Sequence, residues 1–160
     1  MEKVKEQGLA KSIGVSNFLE PHINAILKTA KHAPVINQIE FHPYLQHHPL
    51  IKQCKQSGIA ISAYGPQAPV TKAKDGPVDE YLSGLAKKYE VSEGDVLLRW
   101  CIDQDMVVIT TSSKEQRLSD YLRVTRFNLT PEEVRTLSEL GDQKHFRGFW
   151  TNKFDPEDRS

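Results

Sequence analysis

Four short apolar segments recur along the chain, Ser12–Val15, Val35–Glu40, Ile59–Tyr64 and Met106–Thr110, with residues at helical spacing between them. A strand that rejoins its sheet after a helix runs parallel to its neighbour, and such crossovers are almost always right-handed. The alternation therefore predicts an α/β architecture of four parallel strands with outer helices.

The connections carry their own boundary signals. Between Glu20 and Ala33, Ile23, Ile26, Leu27 and Ala30 recur at helical spacing, and Pro21 falls near the first turn, where its missing N–H costs nothing. Pro49–Ser57 reads as a shorter helix with Leu50, Ile51 and Cys54 inward, closed by Gly58 as a C-cap. The stretch from Gly65 to Val78 holds three prolines and two glycines, so a long loop without regular structure is expected. Helices follow over Asp79–Tyr89 and Glu93–Gln104, the second opened by the capping box Ser92 to Asp95. Ser113 with Gln116, and Thr130-Pro131-Glu132-Glu133, mark two further helix starts. Past Gly141, Phe146, Phe149, Trp150 and Phe154 lie among charges without periodicity, which predicts an irregular segment packed across a cavity mouth.

Charge and composition narrow the function classes. Lys plus Arg and Asp plus Glu are equal at 21 each, so no net field favours nucleic acid or an anionic membrane as partner. No apolar run approaches the roughly 20 residues that span a bilayer, and the opening M-E-K-V-K-E-Q-G has no apolar signal core. A cytoplasmic location is expected. Cys54 and Cys101 sit on separate helices without C-x-x-C spacing, which reads as two reduced, packed thiols. His42, His47 and His48 surround Pro43 and Pro49 without a spacing that fixes a tetrahedral site, so no metal centre is expected.

The polar residues at the strand ends are the candidate site. The segment G-L-A-K-S-I-G-V-S-N-F delivers Ser16 and Asn17, V-I-N-Q-I-E delivers Gln38, and A-Y-G-P delivers Tyr64. In a barrel of this kind, side chains at the C-terminal ends of strands form the site. Together with V-V-I-T-T-S-S-K-E-Q-R-L-S-D, these motifs resemble the second half of the aldo-keto reductase family. The T-T-S-S-K-x-Q-R form is closest in look to its fungal ketoamide and conjugated polyketone reductase branch. The resemblance runs to about Trp150 and implies the C-terminal half of a (β/α)8 TIM barrel, with residues 1–160 forming a partial domain.

Residue by residue, the resemblance implies NADPH as cofactor. Ser16, Asn17 and Gln38 would hydrogen-bond the nicotinamide carboxamide, whose donors and acceptors an amide or hydroxyl satisfies without adding charge. Tyr64 would stack on the nicotinamide ring, and the backbone of Gly65, Pro66 and Gln67 would meet the pyrophosphate, although Gly65 lacks the hydroxyl usual in the family. The strand-to-helix junction after Val107 offers the N–H groups and dipole that favour a phosphate. Thr111 stands where the family often has a lysine, so Ser112, Ser113 and Lys114 would take the 2′-phosphate. Arg117 would lie on the phosphate or adenine face, and Asp120, in place of the usual glutamate, would meet the adenine amino group. Phe146, Phe149 and Trp150 remain as candidate substrate-pocket residues.

The implied activity is NADPH-dependent reduction of a small ketone or aldehyde. The family's catalytic tyrosine and its partners belong to the first half of the barrel, so no catalytic residue is expected in this chain, and it alone is expected to be inactive. Met1 and Glu2 resemble the interior of a helix, as in a truncated gene model, an internal start or a fragment. The competing reading is a non-catalytic half-barrel that acts as an interaction or regulatory remnant. An open half-barrel would expose the edges of its outer strands and the inward side chains Ile13, Val15, Ile39, Ile61 and Ile109, which predicts self-association.

Overall fold

The structure, a computed structural model, describes residues 1–155 and 158–159. The chain forms two compact units, Met1–Ile39 with His47–Ser62, and Glu40–Gln46 with Ala63–Arg159.

The first unit contains α1 (Glu2–Glu6), β1 (Val15–Ser16), α2 (Glu20–Thr29), most of β2 (Ile36–Glu40), α3 (His48–Gln56) and the start of β3 (Ala60–Tyr64). Val15 and Ser16 pair in parallel with Asn37 and Gln38. Gly14 permits the close approach, since a Cβ there would stand 2.5 Å from Ile36 Cγ2. Helix α2 ends at Thr29, short of the expected Ala33, where Ala30 turns to extended backbone at ψ 130°. The chain that leaves it is held by Glu2, whose carboxylate accepts the N–H groups of Lys31 at 2.6 Å and His32 at 3.0 Å. Helices α2 and α3 pack together with Ile23 and Cys54 fully buried, and Gln53 donates to Asn24 at 2.7 Å.

The second unit continues β2 and β3 and adds α4 (Ala68–Thr71), α5 (Asp79–Tyr89), α6 (Glu93–Ile102), β4 (Val107–Val108), α7 (Glu115–Arg123), a 3-10 turn at Val124–Arg126 and α8 (Pro131–Gly141). Phe41 N–H donates to the Tyr64 carbonyl and Ile109 N–H to that of Ala63, and the pairing gives the strand order β1-β2-β3-β4. The core of this unit is built on Trp100, wholly buried, with Phe41 stacked on it at 5.0 Å and its indole N–H donating to the Val134 carbonyl.

Several expectations are corrected. The Gly65–Val78 segment is not without regular structure: α4 occupies Ala68–Thr71, because Pro69 falls in its first turn, where no amide donor is required. Ser113 does not cap α7. Ser112 Oγ instead accepts the Lys114 N–H at 3.0 Å, which moves the helix start to Glu115, and Gln116 turns its amide to Asp120. The five apolar strand residues do not share one environment: Ile13, Ile39 and Ile61 are buried, contrary to the expected exposure, while Ile109 is exposed. The Ser92 and Thr130 capping boxes both form, and Gly58 takes the expected positive φ of 68°.

Candidate functional site

In the first unit, β1 ends on a tight polar cluster. Asn17 adopts φ 56°, a left-handed conformation that asparagine tolerates, and its N–H donates to the Gln38 carbonyl at 2.9 Å. The Ser16 hydroxyl donates to that same carbonyl at 2.9 Å and accepts from Asn17 Nδ2 at 3.2 Å. Ser16 and Asn17 are therefore held against the Gln38 main chain. What holds them is Asn37, which the sequence reading passed over. Its fully buried amide donates to the Phe18 carbonyl at 2.8 Å and accepts the Phe18 N–H at 3.3 Å, fixing the chain that leaves β1.

In the second unit, a cavity of about 300 Å³ opens at the end of β3. Tyr64, Gly65, Pro66, Gln67, Ile109, Thr110, Thr111 and Phe149 are among the residues that line it. Tyr64 is half-buried, and its hydroxyl pKa is raised, first by burial and then by the nearby Glu40 carboxylate. A larger cavity of about 520 Å³ shares Gln67 and Thr71 with the first and carries Arg117, Asp120 and Arg123. Asp120 already accepts from Gln116 Nε2 at 2.8 Å and pairs with Arg123 at 2.9 Å, so it reaches this space as a partly neutralised group. Lys114 is exposed and stands as N-cap residue of α7 without a capping side-chain bond. Of the three candidate pocket residues, Phe149 lines the smaller cavity, Phe146 packs on the His42 ring at 6.0 Å, and Trp150 is 52% exposed.

Beside the smaller cavity lies a buried ionic group that the sequence reading did not single out. Glu40 Oε1 stands 3.1 Å from His42 Nε2, and the carboxylate also accepts the N–H groups of Gly148 at 2.7 Å and Phe149 at 3.1 Å. Burial pushes the Glu40 pKa up, but the His42 contact and the two amides outweigh it, and the net shift is downward. His42 moves down chiefly through its own burial. The pair is thus a carboxylate beside a neutral imidazole that donates through Nε2. This gives His42 a structural task, together with the turn in which it bridges to Leu45. Both thiols are buried and free, and burial raises both their pKa values. Among the described residues no helix is long and apolar enough to cross a membrane.

The profile of the Aldo/keto reductase family matches residues 1–142. The NAD/NADP-dependent indole-3-acetaldehyde reductase of Schizosaccharomyces pombe is 40% identical over 151 residues, which are 93% of this chain and 53% of that protein. The NADPH-dependent alpha-keto amide reductase of Saccharomyces cerevisiae is 40% identical over 161 residues, covering 96% and 52%. Among solved structures, a Bombyx mori aldo-keto reductase in complex with NADP matches with a TM-score of 0.81 at 37% identity, over 88% of this chain and 48% of its own. An aldo-keto reductase from a Medee basin deep-sea metagenome library gives 0.83 at 32% identity, over 91% and 53%. The chain spans about half the length of the relatives it matches, and its four parallel strands with their helices correspond to part of their (β/α)8 barrels. Because the family profile extends over residues 1–142, the greater part of its length, the chain belongs to the aldo/keto reductase family.

Proposed function

We propose that this chain supplies the cofactor-binding part of an NADPH-dependent reductase that converts a small ketone or aldehyde to an alcohol. The observation that carries the reading is the Tyr64 cavity, which brings Tyr64 together with Gly65, Pro66 and Gln67 and with Thr110 and Thr111. The names of the two fungal relatives support the same cofactor class.

When bound, the nicotinamide supplies hydride to the carbonyl carbon. In the first unit, Ser16, Asn17 and Gln38 carry hydroxyl and amide groups of the kind that satisfy a carboxamide without adding a charge. In the second, Tyr64 gives a flat apolar contact at low entropic cost, and the loop Gly65 to Gln67 presents main-chain groups to the pyrophosphate. Thr111, Ser112, Ser113 and Lys114 stand at the start of α7, where N–H groups and helix dipole favour a phosphate. Arg117 and Asp120 line the neighbouring cavity, to which we assign the adenosine end. Residues 1–160 act in this reading as one partial domain, and the group that protonates the carbonyl oxygen lies outside it.

Fluorescence titration of the chain with NADPH and NADH tests the assignment. Lys114→Ala and Arg117→Ala should each weaken NADPH by about tenfold and NADH by much less, because a charge-assisted contact is roughly twice as strong as a neutral one. Equal losses for the two cofactors would place the 2′-phosphate elsewhere. The exposed apolar residues Val35 and Val107 favour a second reading, a half-barrel that serves as an interaction surface without catalysis.

A further inference from the structure

The side chains of Glu40 and Lys72 converge on Gly148 and Phe149, and Gly65 lies against the Phe149 ring. Glu40, at the end of β2, is 1% exposed and spends its carboxylate on the main-chain N–H groups of Gly148 and Phe149, 108 and 109 residues further along the chain. Lys72 Nζ donates to the Gly148 carbonyl at 3.3 Å and lies 3.9 Å from the centroid of the Phe149 ring. The backbone is shaped to the same end. A Cβ at Gly65 would stand 2.9 Å from Phe149 Cε2, and one at Gly148 would stand 3.2 Å from Glu40 Oε1 and 3.1 Å from Phe146 Cε1. Held in this way, the Phe149 ring meets Tyr64 at right angles with 5.4 Å between centroids, and it forms a wall of the smaller cavity.

Burying a carboxylate is costly unless it is hydrogen-bonded, so the contacts that Glu40 makes identify its task. Three of them go to His42 beside it and to the tail. We infer that Glu40 is a positioning residue. Through the main chain of Gly148 and Phe149 it fixes the Phe149 ring as the cavity wall, and so sets the width of the planar ring that can lie against Tyr64. The ligand side of this inference rests on the cofactor reading above, whereas the hold on the tail does not.

The test uses the whole chain and its Glu40→Gln, Phe149→Ala and doubly substituted forms. Glu40→Gln keeps the shape of the side chain but removes its charge and turns an N–H toward the tail amides. Trypsin cleavage at Arg147–Gly148, followed by mass spectrometry, should quicken by about fivefold, the factor expected for losing one charge-assisted hydrogen bond. The NADPH dissociation constant should rise by about fivefold in each single variant and no further in the double one, since residues that act through one another are not additive. Unchanged cleavage in Glu40→Gln, or additive losses in the double variant, would overturn the inference. Should Glu40→Gln fail to fold, Gly148→Ala prises the contact apart from the tail side, and unchanged cleavage there overturns it equally. If none of the forms binds NADPH, the cofactor reading fails, and the cleavage comparison still decides whether Glu40 holds the tail.

Discussion

At the scale of single residues, two glycines in helices have opposite meanings. A Cβ at Gly84, in the middle of α5, would meet nothing within 4 Å, whereas one at Gly141, the last residue of α8, would collide with the Pro43 carbonyl oxygen. Gly84→Ala should therefore stabilise the chain by about 0.5–1 kcal/mol, and Gly141→Ala should destabilise it by roughly 1–3 kcal/mol. Denaturant unfolding of the two variants reads both signs. Glu133 gives a second residue-scale expectation. Burial alone would raise its pKa, but hydrogen bonds from Lys88 Nζ at 2.6 Å, Tyr89 Oη at 2.7 Å and the Thr130 N–H at 2.8 Å hold it at about 2, below the ordinary 4.5. A lowered carboxylate pKa stabilises the fold above the unfolded value and ceases to do so as pH falls through the folded one. Lys88 is more than half exposed, so solvent screening leaves a contribution on the order of 1 kcal/mol. The difference in unfolding free energy between the native chain and Glu133→Gln should be constant above pH 4.5 and vanish as pH approaches about 2.

At the scale of elements, capping is where sequence and structure agree best. Thr130 Oγ1 accepts the Glu133 N–H at 3.2 Å, and Glu133 Oε2 accepts the Thr130 N–H at 2.8 Å. Loss of this cap in Thr130→Ala should cost about 1 kcal/mol, read as a lower unfolding midpoint with an unchanged denaturant slope. Such caps were legible because their partners lie three residues apart. The strand cores and the outer helices were legible for a similar reason, since their signals are periodic and local. The end of α2 depended on Glu2, 29 residues before the amide it holds, and no local pattern announces that. At the site, Ser16, Asn17 and Gln38 stood out because they break an apolar strand. Asn37 and Glu40 did not, because their partners at Phe18 and Gly148 are remote in sequence. Ser113 misled because serine caps are common, whereas here the neighbouring Ser112 makes the hydrogen bond.

At the scale of the whole molecule, the strands leave polar backbone and apolar side chains in view. Strand β1 pairs with β2 through two residues, and Val35, Val107 and Ile109 are each at least 40% exposed. Open strand edges with apolar side chains are templates for further pairing. The chain should therefore sediment as a dimer or larger species at micromolar concentration. A monomer with one sharp, cooperative thermal transition would identify it as a module that folds by itself. With NADPH and an activated ketone it should show no turnover alone, because the proposed proton donor is not among its residues. Steady cofactor oxidation by the purified chain would overturn that expectation and make Tyr64 the first acid to replace.

Helix α5 ends on Glu90 with φ 55°, a backbone conformation that glycine enters freely and a carboxylate-bearing residue enters at a cost of roughly 1 kcal/mol. The chain thus keeps a glutamate where local preference asks for none, on the rim of the cavity that carries Arg117. For anyone seeking a hardier form, this is the first position to change. Glu90→Gly should raise the melting temperature by a few degrees, and by removing an anion from that rim it should tighten the hold on a phosphorylated ligand, so that heat tolerance and affinity improve together.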